Sequence, residues 1–439
     1  MGIEVISLII IASMLALMAL GVPLVYTTLT VAIACTLYQL GFSGLPLVAS
    51  RVTGFVTEYV FVAVPLFVLM ACVLERSGVA RDLYDAMFLL AGRLPGGVAV
   101  QTTLVAVFMA AMTGIIGGEI VLLGLVALPQ MLRLNYDRKL AIGTICAGGS
   151  LGTMIPPSIV LIFFGLTAGV SIGDLFMATI IPGLLLASLY VAYILIRCYI
   201  NPDLGPPAPA DERDMPLSEK LKLVRDVMLP LMVAGTVLGS IYGGIASVSE
   251  AAGMGVVGVI ITAWIRKELT WEMMRGALHQ TMMTCGVILW LTFGANALIG
   301  VYNLMGGIEF VKGLITGLPF APMVIILIMM AILILLGFFI DWIGIMLLTM
   351  PIFVPIIIGF GYSPIWFGIL FCMNMQISYL SPPFGPAAFY LKGVAPPEIS
   401  LQDIYASLWP FMILQVIGLG FVMYFPILAL WLPALVYGN

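Results

Sequence analysis

The sequence predicts an all-α polytopic membrane protein built from two inverted repeats, each with about five transmembrane helices and one re-entrant helical hairpin. Three observations point to it. Of the 439 residues, 62% are hydrophobic and only 9% are charged, whereas roughly a quarter of an average globular chain is charged. Charge that sparse cannot solvate a water-facing surface, so the solvent for most of the chain is lipid. The apolar runs are long and do not alternate, which selects helices over a barrel, because backbone groups in lipid must be paired internally. Lastly, a set of Gly, Pro and Tyr positions recurs in both halves at one spacing.

A helix needs about 20 apolar residues to cross a bilayer. Runs of that kind fall near 3–20, 22–40, 57–75, 138–165, 174–197, 227–244, 247–265, 281–301, 364–391 and 407–434. Met1 to Leu20 has no basic n-region and reads as the first span rather than a signal peptide. Two further stretches, 97–130 and 321–360, carry a Gly-rich or polar break at their centre and read as hairpins that enter the membrane and return on the same side.

Basic residues test this topology, since they collect on the cytoplasmic side. With the N-terminus outside and the hairpins not crossing, only Arg51 and Lys312 of the 17 Lys and Arg fall outside. Treating either hairpin as a single span breaks the sorting. The first hairpin's mouth is then cytoplasmic and the second's opposite. Residues 201–226, with Pro206, Pro207, Pro209 and Pro216, form a cytoplasmic linker between a first half (1–200) and a second (227–439).

The halves align at an offset of 226: Gly118 with Gly344, Pro129 with Pro355, Tyr136 with Tyr362, and Pro156-Pro157 with Pro382-Pro383. Five spans per half is odd, so the second copy is upside down relative to the first. Inverted repeats with broken helices place a solute site near the midplane.

The residues that could carry chemistry sit at the breaks. The first hairpin turns at Thr113 to Glu119, and the following span carries Gly148-Gly149-Ser150-Leu151-Gly152-Thr153-Met154-Ile155-Pro156-Pro157. Proline removes an N–H and glycine permits non-helical angles, so this span must unwind and free backbone carbonyls. Carbonyls and hydroxyls are hard oxygen ligands suited to a small cation such as Na⁺, while half-helix N-termini favour an anion. The second half repeats the pattern: its hairpin turns at Gly337 to Trp342, including Ile340 and Asp341, and its broken span carries Asn374, Gln376, Ser378 and Ser381 before Pro382-Pro383-Phe384-Gly385. Polar groups in a span are costly and mark candidate functional positions. Asp341 and Glu119 are the acids inside the breaks. The lone His279 lies on an amphipathic stretch, Leu269 to Gln280, and reads as a surface residue. Two amphipathic stretches, Val79 to Arg93 and Asn303 to Gly317, precede the hairpins and suit the membrane interface.

Other classes are disfavoured. There is no Walker motif, no haem, iron–sulfur or zinc ligand cluster, and no CxxC pair among the six cysteines. No intramembrane Ser/His, paired-Asp or HExxH constellation supports an enzyme, and no cofactor is expected beyond Na⁺ as coupling ion. No basic surface or motif suggests a nucleic-acid partner. Paired acids and histidines for a proton relay are also missing, which favours a Na⁺ gradient as the energy source.

With Leu134-Asn135-Tyr136-Asp137-Arg138-Lys139, then Ala147 through Ser158, Gly337 through Asp341, Pro351 to Pro355, Phe367-Gly368, and Asn374-Met375-Gln376 through Gly385, the chain resembles the large membrane subunit of TRAP (tripartite ATP-independent periplasmic) transporters, the DctM-like group of the ion-transporter superfamily. The resemblance covers nearly the whole chain. It implies a multi-pass protein of the bacterial inner membrane and an elevator with scaffold and transport domains. It implies Na⁺-coupled uptake of a small organic anion, typically a carboxylate. Two partners follow: a periplasmic substrate-binding protein and a small four-helix membrane subunit. A stand-alone ion-coupled carrier of the same fold is the alternative. By similarity, one Na⁺ lies among Thr113, Gly114, Gly149, Gly152, Met154 and Pro157. A second lies among Gly337, Ile340, Asp341, Ser378, Ser381 and Phe384. Substrate lies between the tips, near Thr113, Ser150, Thr153, Asn374, Gln376 and Gly385. The first tip departs from the family's Ser-Gly-Ser-Ser kind, with Ile115 and Ile116 where hydroxyls are usual, so this Na⁺ site rests on carbonyls and Thr113.

Overall fold

A computed structural model describes residues 2–79, 82–86, 94–207 and 217–437. The described chain is helical throughout. It runs α1 (Ile3–Ala19), α2 (Leu24–Leu40), α3 (Leu45–Val56) and α4 (Ala63–Arg76), then the helical pair α5 (Gly97–Thr113) and α6 (Gly118–Arg133). Next come α7 (Arg138–Ser150), α8 (Ile159–Ala168) and α9 (Ile172–Ile200). The second half has α10 (Leu217–Tyr242), α11 (Val248–Ile265), α12 (Trp271–Leu304) and α13 (Gly307–Thr316). It continues with the pair α14 (Pro322–Gly337) and α15 (Trp342–Gly359), α16 (Pro364–Leu380), α17 (Pro386–Lys392), α18 (Leu401–Tyr424) and α19 (Ile427–Tyr437).

Local sequence explains the starts and breaks. Asp137, Thr270 and Ser400 cap α7, α12 and α18 by accepting from backbone N–H groups in the first turn, and Ser247 with Glu250 forms a capping box on α11; each satisfies donors that a helix start leaves open. After α7, the 3₁₀ turn Leu151–Thr153 and Pro156-Pro157 interrupt the helix before Ser158 caps α8. After α16, Pro382-Pro383 interrupt it before α17. Both Pro-Pro bonds are cis. The same order recurs in each half: a helical pair, a broken helix, a long helix.

Several boundaries differ from the sequence reading. The 281–301 span is the later part of a 34-residue helix, so Leu269 to Gln280 is no separate element; His279 is exposed on it. The 407–434 run is two helices, because the chain breaks at Phe425-Pro426. Helix α10 begins at Leu217, inside the stretch read as linker, whose residues 208–216 lie outside the described residues. Of Val79 to Arg93, Val79 and residues 82–86 are helical and the rest lies outside the described residues. Helix α3 was not anticipated.

Among the described residues, six segments are long and apolar enough to cross a membrane: Tyr59–Arg76, α9, α11, α12, α15 and α18. Helix α15, expected as one arm of a re-entrant hairpin, is among these six, and it packs against α14 across the turn Phe338 to Asp341. One large apolar core joins both helical pairs to the broken helices, with Phe163, Phe164, Trp366 and Phe371 among its largest fully buried side chains. A second core, containing Ile6, Ile10, Val31, Val48 and Leu298, ties α1, α2 and α3 to α12.

Candidate functional site at two hairpin tips

The α5–α6 turn lies against the first broken helix. Gly114 has φ +68° and its carbonyl accepts from Ile159 N–H at 3.2 Å. A Cβ on Gly114 would lie 2.0 Å from the Pro157 carbonyl oxygen, so the approach requires glycine. A Cβ on Gly152 would meet Glu119 Oε1 at 2.7 Å and Ile115 O at 2.8 Å. Thr113 hydrogen-bonds Glu119. Thus Thr113, Gly114, Gly152 and Pro157 converge, joined by Ile115 and Glu119. Gly149 packs against Ile120, and the Met154 carbonyl accepts from the Thr179 hydroxyl at 2.6 Å.

The second tip is arranged likewise. A Cβ on Gly337 would fall 2.0 Å from Ser378 Oγ. A void of about 10 Å³ lies among Gly337, Ile340, Asp341, Met375, Ser378 and Phe384, about the size that holds one water or small ion. Five of the six residues expected for the second cation line it. Ser381 does not: its hydroxyl donates to Ser378 O, and its other side faces an apolar groove with Trp409 and Met412. Asp341 also caps α15, accepting from Ile343 N–H at 3.4 Å.

Between the tips lies a cavity of about 640 Å³, within the size range of small-molecule sites. Its walls are Gly114 to Gly118 from the first tip, Asp341 to Ile343 from the second, Thr153 and Phe384 from the broken helices, and Glu75, Gln280 and Thr284 from α4 and α12. Of the residues expected to face substrate, Thr153 lines the cavity. Gln376, fully buried, stands behind it and donates to Thr153 Oγ1 at 2.8 Å, linking the two halves. Ser150 donates to Ala147 O, and Asn374 to Met330 O; Thr113 is drawn to Glu119, and Gly385 sits at the start of α17. Sequence reasoning missed Glu75, Gln280 and Tyr390. Gln280 donates to Glu75 at 3.3 Å and accepts from Arg76 at 2.9 Å. The cavity lining includes Glu75 and Asp341 and no basic side chain among the described residues.

Gln376→Ala removes the bridge and leaves Thr153 with one partner fewer in a dry site. We expect a loss of about 2 kcal/mol, read as a lowered thermal midpoint of the detergent-solubilised chain.

The family model for the tripartite ATP-independent periplasmic transporter, DctM component, matches residues 11–428. This chain belongs to that family. It is 27% identical over 455 residues to the C4-dicarboxylate TRAP transporter large permease protein DctM of Vibrio cholerae, covering 97% of this chain and 96% of that protein. It is 29% identical over 380 residues to the protein of the same description from Pseudomonas aeruginosa, covering 86% of each. Among solved structures, the YdaH transporter of Alcanivorax borkumensis aligns with a TM-score of 0.62 at 16% identity, covering 94% of this chain and 97% of that one, a likeness of fold. As a DctM-family chain, it is a multi-pass inner-membrane protein and a transporter permease. Large permeases of this family work with a periplasmic binding protein and a small membrane subunit.

Proposed function

We propose that this permease takes up a small organic anion, a carboxylate, together with Na⁺. The solute is delivered by a periplasmic substrate-binding protein, and a small four-helix membrane subunit braces the frame. The two halves act as inverted repeats. The hairpins and broken helices move as a transport domain against a frame that includes α1 to α3 and α12, in an elevator motion. The observation that carries the reading is the cavity between the tips, which has carboxylates in its wall and no basic side chain. An anion entering such a space alone would be desolvated beside like charge at a cost of several kcal/mol. Cations bound at the oxygen-rich tips remove that penalty, so anion and cation occupy the site together, which is symport. The void at Asp341 supports a place for one such ion. The carboxylate class is supported by the C4-dicarboxylate permeases among the relatives.

The test is uptake of C4-dicarboxylates and other small carboxylates by proteoliposomes containing this chain and its small subunit, with binding protein and an inward Na⁺ gradient. We expect uptake to require both. Uptake without the binding protein would overturn the tripartite part of the reading, and uptake indifferent to Na⁺ would overturn the coupling.

A further inference from the structure

The first tip poses a chemical problem that the second does not. Asp341 supplies a carboxylate at the second tip, whereas Ile115 and Ile116 deprive the first tip of hydroxyls, leaving Thr113. A cation held by neutral oxygens alone in a dry site gives up its hydration for weak partners.

Glu119 stands at this place. It lies in the first turn of α6, is 1% exposed, and is hydrogen-bonded to Thr113 across the turn. Its Oε2 is buried with no hydrogen-bond partner. No Lys or Arg among the described residues pairs with it, and the charged neighbour that acts on it is another carboxylate, Glu75. A buried carboxylate left in that condition lacks a positive partner. Gly152 lets these groups close in on the broken helix: a Cβ there would lie only 2.7 Å from Glu119 Oε1 and 2.8 Å from Ile115 O, so both oxygens crowd its backbone. A carboxylate and a carbonyl oxygen therefore meet beside Gly152, with the Thr113 hydroxyl joined to the carboxylate.

We propose that Glu119 is the anionic ligand of a monovalent cation at the first tip, taking the place of the absent hydroxyls, with Ile115 O and the Thr113 hydroxyl as neutral ligands and Gly152 as the residue that lets these oxygens come close. The inference rests on the Na⁺-coupled reading above and assigns its first ion to a side chain of this chain. Each carboxylate near the cavity then has a cation: Glu75 through Gln280 to Arg76, Asp341 at the second tip, Glu119 at the first. The anionic solute meets the start of α6, where no side chain caps the first turn.

The experiment titrates Na⁺ in proteoliposome uptake for the wild type, Glu119→Gln and Glu119→Asp. Glutamine keeps the shape and removes the charge, and aspartate keeps the charge. We expect Glu119→Gln to raise half-saturating Na⁺ about tenfold or more, as loss of the charged partner of a buried ion demands, and to lower the Hill coefficient toward one. Glu119→Asp should stay closer to the wild type. A wild-type Na⁺ curve for Glu119→Gln would overturn the inference while leaving Na⁺ coupling intact, whereas a wild type indifferent to Na⁺ defeats the coupling itself. Should Glu119→Gln fail to fold, the Na⁺-induced infrared difference spectra of the wild type and Glu119→Asp decide: a carboxylate band that differs between them supports ligation by Glu119, and identical bands overturn it.

Discussion

Gly114→Ala is expected to abolish solute uptake and to destabilise the folded chain by about 3 kcal/mol, the sum of overpacking and a left-handed non-glycine backbone. The new Cβ would lie 2.0 Å from Pro157 O and 3.1 Å from its carbonyl carbon. Both are backbone atoms, so no rotamer relieves the clash. The tip must lift off the broken helix, breaking the Ile159 N–H to Gly114 O bond and opening both the first cation position and the cavity wall. Gly169 is the control: its φ is +67°, but nothing lies within 4 Å of its Cβ position. Gly169→Ala should cost about 1 kcal/mol and leave uptake near normal. Thermal unfolding in detergent and initial uptake rates, measured on both variants, separate the conformational cost from the steric one. Equal behaviour of the two variants would mean that the contact with Pro157 is unimportant.

Asp341→Asn is expected to separate function from stability. Asparagine caps a helix about as well as aspartate, so α15 should keep its start and the thermal midpoint should barely move. The void among Gly337, Ser378 and Phe384 would lose its anionic oxygen, however. Half-saturating Na⁺ for uptake should rise about tenfold or more, because the ion is left without the charge that offsets its desolvation. A normal Na⁺ curve with unchanged stability would reduce Asp341 to a helix cap.

Much of this architecture was legible in the sequence because it is written in residues with strong backbone consequences. Gly114, Gly337 and the two Pro-Pro pairs mark breaks that helices cannot absorb. Those signals are local. What was not legible depends on which helix leans on which. Glu75 and Gln280 end or begin ordinary-looking apolar runs, and they reach the cavity because α4 and α12 bring them beside the first tip. Ser150 and Asn374 look like ligands in a list of polar span residues, but their side chains bond the backbone of Ala147 and Met330. Ser381 was expected at the second cation with Ser378, yet the break at Pro382 turns it toward a groove with Trp409. The Thr113–Glu119 pairing spans a turn rather than a helical face, so no periodicity reveals it. The split at Phe425-Pro426 was missed because the apolar run continues through it.

The most direct test of coupling through two oxygen-lined tips is the ratio of ²²Na⁺ to labelled solute entering proteoliposomes in the same initial-rate experiment. The account predicts two Na⁺ per solute in the wild type, with a lower ratio in Glu119→Gln and in Asp341→Asn. Solute entering with no accompanying Na⁺, or a ratio that neither substitution changes, would contradict it.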